Sequence, residues 1–319
     1  MDELHDRLSH GEVIILDGAI GSELQAMGVP MDGAAWCAVA LKSHPDTVRQ
    51  LHEEYIRAGA DVITTNTYSS ARHNLDEAGL GERTRALNIR AVELAKEARE
   101  NAARGRKVYI AGSMSNFGAF PETVGRPAPP SERLRASYTE QAELLAEGGV
   151  DLFALEMVRD LEQGRYLMEA ALATGLPTWV GFSCRIDDEG AVKLLGRDPE
   201  VRRQRATTRE SVAFASGIDA LMALGGSALT VMHSEVGDTA PALRIALDHW
   251  RGPVGAYPHS GYWKRPDWQF VNVIPPDDYL ARAREWVQMG AQIIGGCCGI
   301  GRAHIRALRD GLPARATRS

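Results

Sequence analysis

A single (β/α)8 barrel, an α/β TIM barrel spanning residues 1–319, is the fold class this sequence predicts, on three observations. Short apolar runs rich in β-branched residues alternate with longer amphipathic ones along the chain, which implies parallel strands separated by helices. Eight such strand signals can be counted, the number that closes a barrel. No interdomain linker, low-complexity tract or short-period repeat interrupts the alternation, so 319 residues form one domain with a short polar C-terminal tail. A doubly wound open sheet is the weaker alternative.

The first strand signal is Val13-Ile14-Ile15-Leu16, which ends in Asp17-Gly18-Ala19. A helix opens at His44-Pro45, where proline suits a first turn, and Val48, Leu51 and Tyr55 recur at helical spacing until Gly59 supplies a stop. The second strand is Asp61-Val62-Ile63-Thr64-Thr65-Asn66. A charged helix over about 82–103 leads to the third, Lys107 to Ser113. Pro129-Pro130-Ser131 opens a helix that stops at Gly148-Gly149, and Val150 to Leu155 is the fourth strand, with Glu156 at its end. A helix around 161–174 precedes the fifth, Pro177 to Ser183. Thr207-Thr208-Arg209-Glu210 has capping-box form and starts a helix ending near Gly225-Gly226. Leu229-Thr230-Val231-Met232, with His233 at its tip, is the sixth strand, and Pro253 to Tyr257 the seventh. A helix over about 277–289 leads to the eighth, Gln292-Ile293-Ile294, and His304 to Arg309 is helical again. Three long connections, about 114–130, 184–206 and 260–276, all follow strands, so a barrel gathers them over its C-terminal face, where long loops commonly cover substrate.

The net charge of −6 gives no general footprint for nucleic acid or an anionic membrane. Four cysteines, at 37, 184, 297 and 298, are too few for a disulfide framework and fit a reducing compartment. The N-terminus lacks the basic start and apolar core of a signal peptide, and no apolar run approaches membrane-spanning length. The expected location is the cytoplasm, with small molecules as partners, no nucleic acid and no membrane. Assembly as a homo-oligomer is left open.

In a barrel the strand-end side chains surround one pocket. Here they include Asp17, Asn66, Thr67, Tyr68, Ser113, Glu156, Ser183, Cys184, His233, His259, Cys297 and Cys298. A lone strand-end Asp often only caps a turn, and a lone His is more often structural than a ligand. The pair in Gly295-Gly296-Cys297-Cys298-Gly299 is different in kind, because two soft donors at one point suit a thiophilic metal. Inert buried thiols or a strained vicinal disulfide are the competing explanations. Since strands six to eight are neighbours, His233 or His259 can meet the cysteines, giving Zn2+ three protein ligands and an open fourth position.

These residues resemble the homocysteine S-methyltransferase family. The likeness runs through Asp17 to Leu24, Trp36, Pro45, His52 to Asp61, Thr64-Thr65-Asn66-Thr67-Tyr68, Leu155-Glu156, Tyr257-Pro258 and Gly295 to Gly299. It implies a zinc-dependent barrel that moves a methyl group from an onium donor (S-methylmethionine, S-adenosylmethionine or a betaine-like compound) to the thiol of homocysteine, giving methionine. By the same resemblance Glu156 and Asp17 hold the amino acid's ammonium, amides near Ala19 take its carboxylate, and Trp36 and Tyr68 line the donor side, where aromatic faces suit a cation. Ser183 is expected to contact substrate.

The match breaks at strand six. The family normally places there an Asn-Cys pair that supplies the first of three zinc thiolates, whereas this chain has Met232-His233. His233, Cys297 and Cys298 are therefore the expected metal ligands, with His259 and Cys184 as alternates. His259 also replaces the usual asparagine after Tyr257-Pro258. Two other readings compete with methyl transfer: a zinc-dependent lyase or hydrolase, and a non-catalytic protein that binds an amino acid or osmolyte.

Overall fold

A computed structural model of the chain describes residues 3–119, 127–196, 212–264 and 269–317. Eight strands form one sheet: β1 Ile14–Ile15, β2 Val62–Thr64, β3 Tyr109–Ser115, β4 Leu152–Val158, β5 Thr178–Phe182, β6 Ala228–Glu235, β7 Val254–His259 and β8 Ile293–Ile294. Every pair is parallel, in sequence order from β2 to β8, and β8 then pairs with β1. A bridge between Leu16 and Val62 joins β1 to β2, with the amide of Asp17 donating to the Val62 carbonyl at 3.0 Å, and the ring closes. The sequence expectation of a (β/α)8 barrel is met.

The outer helices are α1 Pro45–Ala58, α2 Thr84–Ala102, α3 Ser131–Gly148, α4 Leu161–Leu172, α5 Phe214–Met222, α6 Val236–His249, α7 Pro276–Gln288 and α8 Arg302–Gly311. Their ends follow local chemistry. Pro45 begins α1, and Gly59, at φ +113°, ends it in the left-handed conformation that a side chain would resist. The carboxylate of Asp160 accepts from the amide of Gln163 at 2.9 Å and caps α4. The capping box expected at Thr207 to Glu210 lies outside the described residues. Helix α6 is absent from the sequence reading. It carries Pro241 in its interior, and a proline there argues against a helix locally while the packing of Ala242, Leu243 and Ala246 imposes one.

Burial separates two cores. The larger lies between sheet and helices, around side chains such as Tyr55, Tyr138, Phe153, Phe182, Phe214 and Trp286. The smaller fills the barrel interior with Ile14, Leu16, Val62, Tyr109, Leu152, Trp179, Met232, Tyr257 and Ile293. The N-terminal helix Glu3–Ser9 adds Leu4 and Leu8 to this inner cluster, so it plugs one end of the barrel. The opposite, C-terminal end is left for chemistry. Two of the long connections there contain antiparallel hairpins, Cys184–Ile186 with Val192–Leu194 and Tyr262–Lys264 with Gln269–Val271.

Candidate active site at the barrel mouth

Two irregularities in the sheet shape the mouth. Between Leu155 and Val158 on β4, and between Met232 and Glu235 on β6, the register shifts by a residue against the neighbouring strand. Each bulge holds a non-glycine residue at positive φ, Met157 at +59° and His233 at +45°. Such conformations cost about 1–3 kcal/mol and are retained where they aim a side chain. At β6 the bulge turns His233 towards the loop that follows β8.

That loop is fixed on both sides. The amide of Cys297 donates to the carbonyl of Pro258 at 2.9 Å, and that of Ser260 donates to the carbonyl of Cys298 at 3.0 Å. On the other flank the Gly296 amide donates to the Asp17 carbonyl at 3.0 Å, and the Ala19 amide to that of Ile300 at 2.9 Å. The result is a cluster of three: Nδ1 of His233 lies 3.3 Å from Sγ of Cys297, and the two sulfurs lie 4.0 Å apart. All three donor atoms sit within 4.8 Å of one another. A tetrahedral ion with metal–sulfur bonds of ~2.3 Å spans sulfur pairs of about 3.8 Å and nitrogen–sulfur pairs of about 3.5 Å, so the spacing fits zinc. The charge argument agrees. The hydrogen bond shared with Cys298, together with burial, pushes the Cys297 thiol well above its ordinary range, so two thiolates this close need a cation between them.

The alternates stand outside the cluster. His259 lies beside His233, ring centroids 4.7 Å apart with the planes tilted by 38°, and donates through Nε2 to Glu235 at 3.0 Å. Cys184 lies 3.4 Å from the hydroxyl of Ser234, its thiol pushed up to about 12 by burial.

A cavity opens beside the cysteines, with Asp17, Tyr68, Ser113, Glu156 and Tyr257 in its walls. Burial raises the pKa of Glu156 to about 7, against the hydrogen bond that the Ser113 hydroxyl donates to it. Burial also holds Asp17 well above the usual carboxylate range, although it accepts from the amide of Thr64 at 2.7 Å. The Thr64 hydroxyl stands 3.2 Å from both Asp17 oxygens, so this carboxylate also ties β1 to β2.

Trp36, Tyr68 and Phe117 form an aromatic cluster, with ring centroids 5.6 to 6.3 Å apart. Phe117 is not among the residues expected from sequence; it lies in the turn after β3. Two expected contacts look different in space. Ala19 lines the cavity, but its own amide is committed to Ile300, so a bound carboxylate must use other amides of that turn. Ser183 is not in the cavity wall; its hydroxyl faces the sulfurs of Met232 and Met157 at 3.3 and 3.5 Å.

Residues 14–312 match the family model described as homocysteine S-methyltransferase. The chain belongs to the homocysteine S-methyltransferase family. It is 29% identical to the homocysteine S-methyltransferase of Escherichia coli strain K12, over 95% of this chain and 96% of that one. It is 28% identical to the selenocysteine methyltransferase of Astragalus bisulcatus, over 90% and 89%. Among solved structures, the metallated form of the homocysteine methyltransferase MmuM from Escherichia coli superposes with a TM-score of 0.76 at 26% identity, covering 97% of this chain and 99% of that one. The enzyme class of the homocysteine S-methyltransferase family, thiol methyl transfer, is the one the sequence motifs imply. Among the described residues, no helix is long and apolar enough to cross a membrane.

Proposed function

We propose that this protein transfers a methyl group from an onium donor to the thiol of homocysteine, yielding methionine, at a zinc site made by His233, Cys297 and Cys298. The observation that carries the reading is the juxtaposition of these three donors with a cavity walled by two carboxylates. When bound, zinc supplies the positive charge that lets a thiol ionise at neutral pH.

The chain's own groups do the rest. Glu156 and Asp17 attract the ammonium of the amino acid, and amides of the turn after β1 receive its carboxylate. Held at both ends, the substrate keeps its sulfur at the cysteine side of the cavity, so entropy lost on binding is not lost again at the barrier. Trp36 and Tyr68 cover the sulfur's approach with aromatic faces that favour a cationic methyl donor over water. The imidazole of His233, in place of a third thiolate, leaves the ligand set one negative charge smaller. A thiol held there ionises more readily, and its thiolate is less nucleophilic.

Metal analysis of freshly reduced protein, combined with a homocysteine methylation assay across several onium donors, tests the reading. About one zinc per chain and formation of methionine are expected. Protein that binds neither zinc nor homocysteine would sink it.

A further inference from the structure

Glu156 and His233 stand on different strands, yet each adjoins a methionine in the chain, Met157 and Met232. Both methionines belong to the inner core of the barrel, and neither is in the cavity wall. Their contact is polar: the amide of Met157 donates to Sδ of Met232 at 3.1 Å. The Ser183 hydroxyl is shared between the sulfurs, 3.3 Å from that of Met232 and 3.5 Å from that of Met157.

Strand β5 runs between β4 and β6, so the Met232 side chain crosses β5 to reach a β4 amide. Gly181 leaves room for the crossing. A Cβ there would fall 2.9 Å from Cγ of Met232 and 2.7 Å from the Leu155 carbonyl oxygen. Further bonds tie both bulges to the end of β5. The Ser183 amide donates to the Val158 carbonyl at 2.9 Å. On β6 the Ser234 hydroxyl donates to the Met232 carbonyl at 3.1 Å and accepts from the Cys184 amide at 3.0 Å. A bulged strand can relax by returning its left-handed residue to the extended region, which re-aims the side chains beside it. Relaxation at Met157 would withdraw Glu156, and relaxation at His233 would withdraw the imidazole. A thioether is a weak acceptor, but a buried amide deprived of it loses its hydrogen bond without gaining water.

We infer that Met232 is a positioning residue that locks the β4 and β6 bulges together, so that the carboxylate of Glu156 and the imidazole of His233 are set as one unit. The inference rests on the roles that the methyl-transfer reading gives to Glu156 and His233, and adds the residue that couples them. The sulfur of Met232 acts on both through the backbone.

Met232→Leu keeps the side-chain volume and removes the acceptor. Two measurements that need no turnover follow the two ends of the lock: the visible spectrum of cobalt-loaded protein for His233, and calorimetric titration of zinc-loaded protein with L-homocysteine for Glu156. In Met232→Leu the cobalt bands should shift and homocysteine affinity should fall by about fivefold or more. In a Glu156→Gln background the same change should cost at most about twofold, because the carboxylate it would misplace is already gone. Met232→Gln, which keeps the length and an acceptor near its end, should recover part of both effects. Ser183→Ala, which removes the hydroxyl shared by the sulfurs, should show the same pattern at smaller size and serves if Met232→Leu folds poorly. A lowered thermal midpoint with both measurements at parent values would make Met232 an ordinary packing residue and overturn the lock, even if homocysteine is methylated. A shift at one end only, or an equal affinity loss with and without Glu156, would overturn it too. A parent protein that holds cobalt but binds no homocysteine would overturn methyl transfer instead, with the lock still read at His233 by its cobalt spectrum.

Discussion

Nδ1 of His233 stands 3.3 Å from Sγ of Cys297 because a bulge in β6 drives the His233 backbone to φ +45°. Neither element alone makes the cluster: the bulge aims the imidazole, and the β7–β8 ladder carries the sulfurs to meet it. If this is the zinc site, His233→Ala should weaken zinc binding by about a hundredfold or more while leaving the thermal midpoint of the metal-free protein nearly unchanged. His233→Cys should hold zinc at least as well and move the ionisation of bound homocysteine to higher pH, because one negative charge is added. Zinc titration against a chelating dye reads the first effect and the pH–rate profile the second. Unchanged zinc affinity in His233→Ala would reject His233 as a ligand.

Glu156 gives a pH signature of opposite sign to most carboxylates. Burial raises its folded pKa to about 7, above the ordinary 4.5. The folded state therefore holds a proton that the unfolded chain releases, and the stabilising contribution is present below pH 4.5 and lost as pH rises to 7. In ligand-free protein at pH 8, Glu156→Gln should raise stability by on the order of 2 kcal/mol in urea titrations. The same change should cost homocysteine affinity and flatten its rise between pH 6 and 8, since the carboxylate that attracts the ammonium is gone. A destabilised Glu156→Gln would contradict this.

How much of this was legible in the sequence follows from what sets each feature. The strands were readable because every barrel strand is buried on both faces, and runs such as Val13 to Leu16 carry that burial in their composition. The cysteine pair was legible from its glycines. The convergence of His233 was inferable only once eight strands made β6 and β8 near neighbours across β7; its positive φ was not, since nothing in Met232-His233-Ser234 favours the left-handed region. Ser183 illustrates the limit. Strand-end position suggested the pocket, but the paired bulges at Met157 and Met232–Glu235 bring two methionine sulfurs over its hydroxyl.

His52 predicts an acid-side loss of stability. It is fully buried in α1, and neither ring nitrogen has a partner among the described residues, so burial lowers its pKa to about 4 from 6.5. Below pH 6.5 the unfolded chain takes up a proton that the folded state refuses, so stability falls with decreasing pH until about pH 4. The full effect is on the order of 3 kcal/mol. His52→Leu, close in volume and apolar, should remove this limb, and urea midpoints at pH 5 and 7.5 should then differ less than in the parent. An identical pH dependence in both proteins would show that His52 finds a partner in solution.

Gly21 tests whether the aromatic cluster serves the reaction or only fills space. A Cβ at Gly21 would fall 2.3 Å from Cη2 and 2.4 Å from Cζ2 of Trp36. Contacts that short are not tolerated, and the indole is a rigid plate that cannot bend away locally. Trp36 itself sits at φ +40°, held between this glycine and the rings of Tyr68 and Phe117. Gly21→Ala should therefore displace the indole without touching His233, Cys297 or Cys298. Zinc stoichiometry should stay at the parent value while kcat/KM falls by about tenfold or more, the loss of one cation–aromatic contact and of water exclusion at the sulfur. Trp36→Phe, which keeps an aromatic face but frees the space over residue 21, should recover part of the activity when combined with Gly21→Ala. A Gly21→Ala protein with full activity and a quenched or shifted Trp36 fluorescence would show that the indole moves without consequence, leaving the cluster a packing feature.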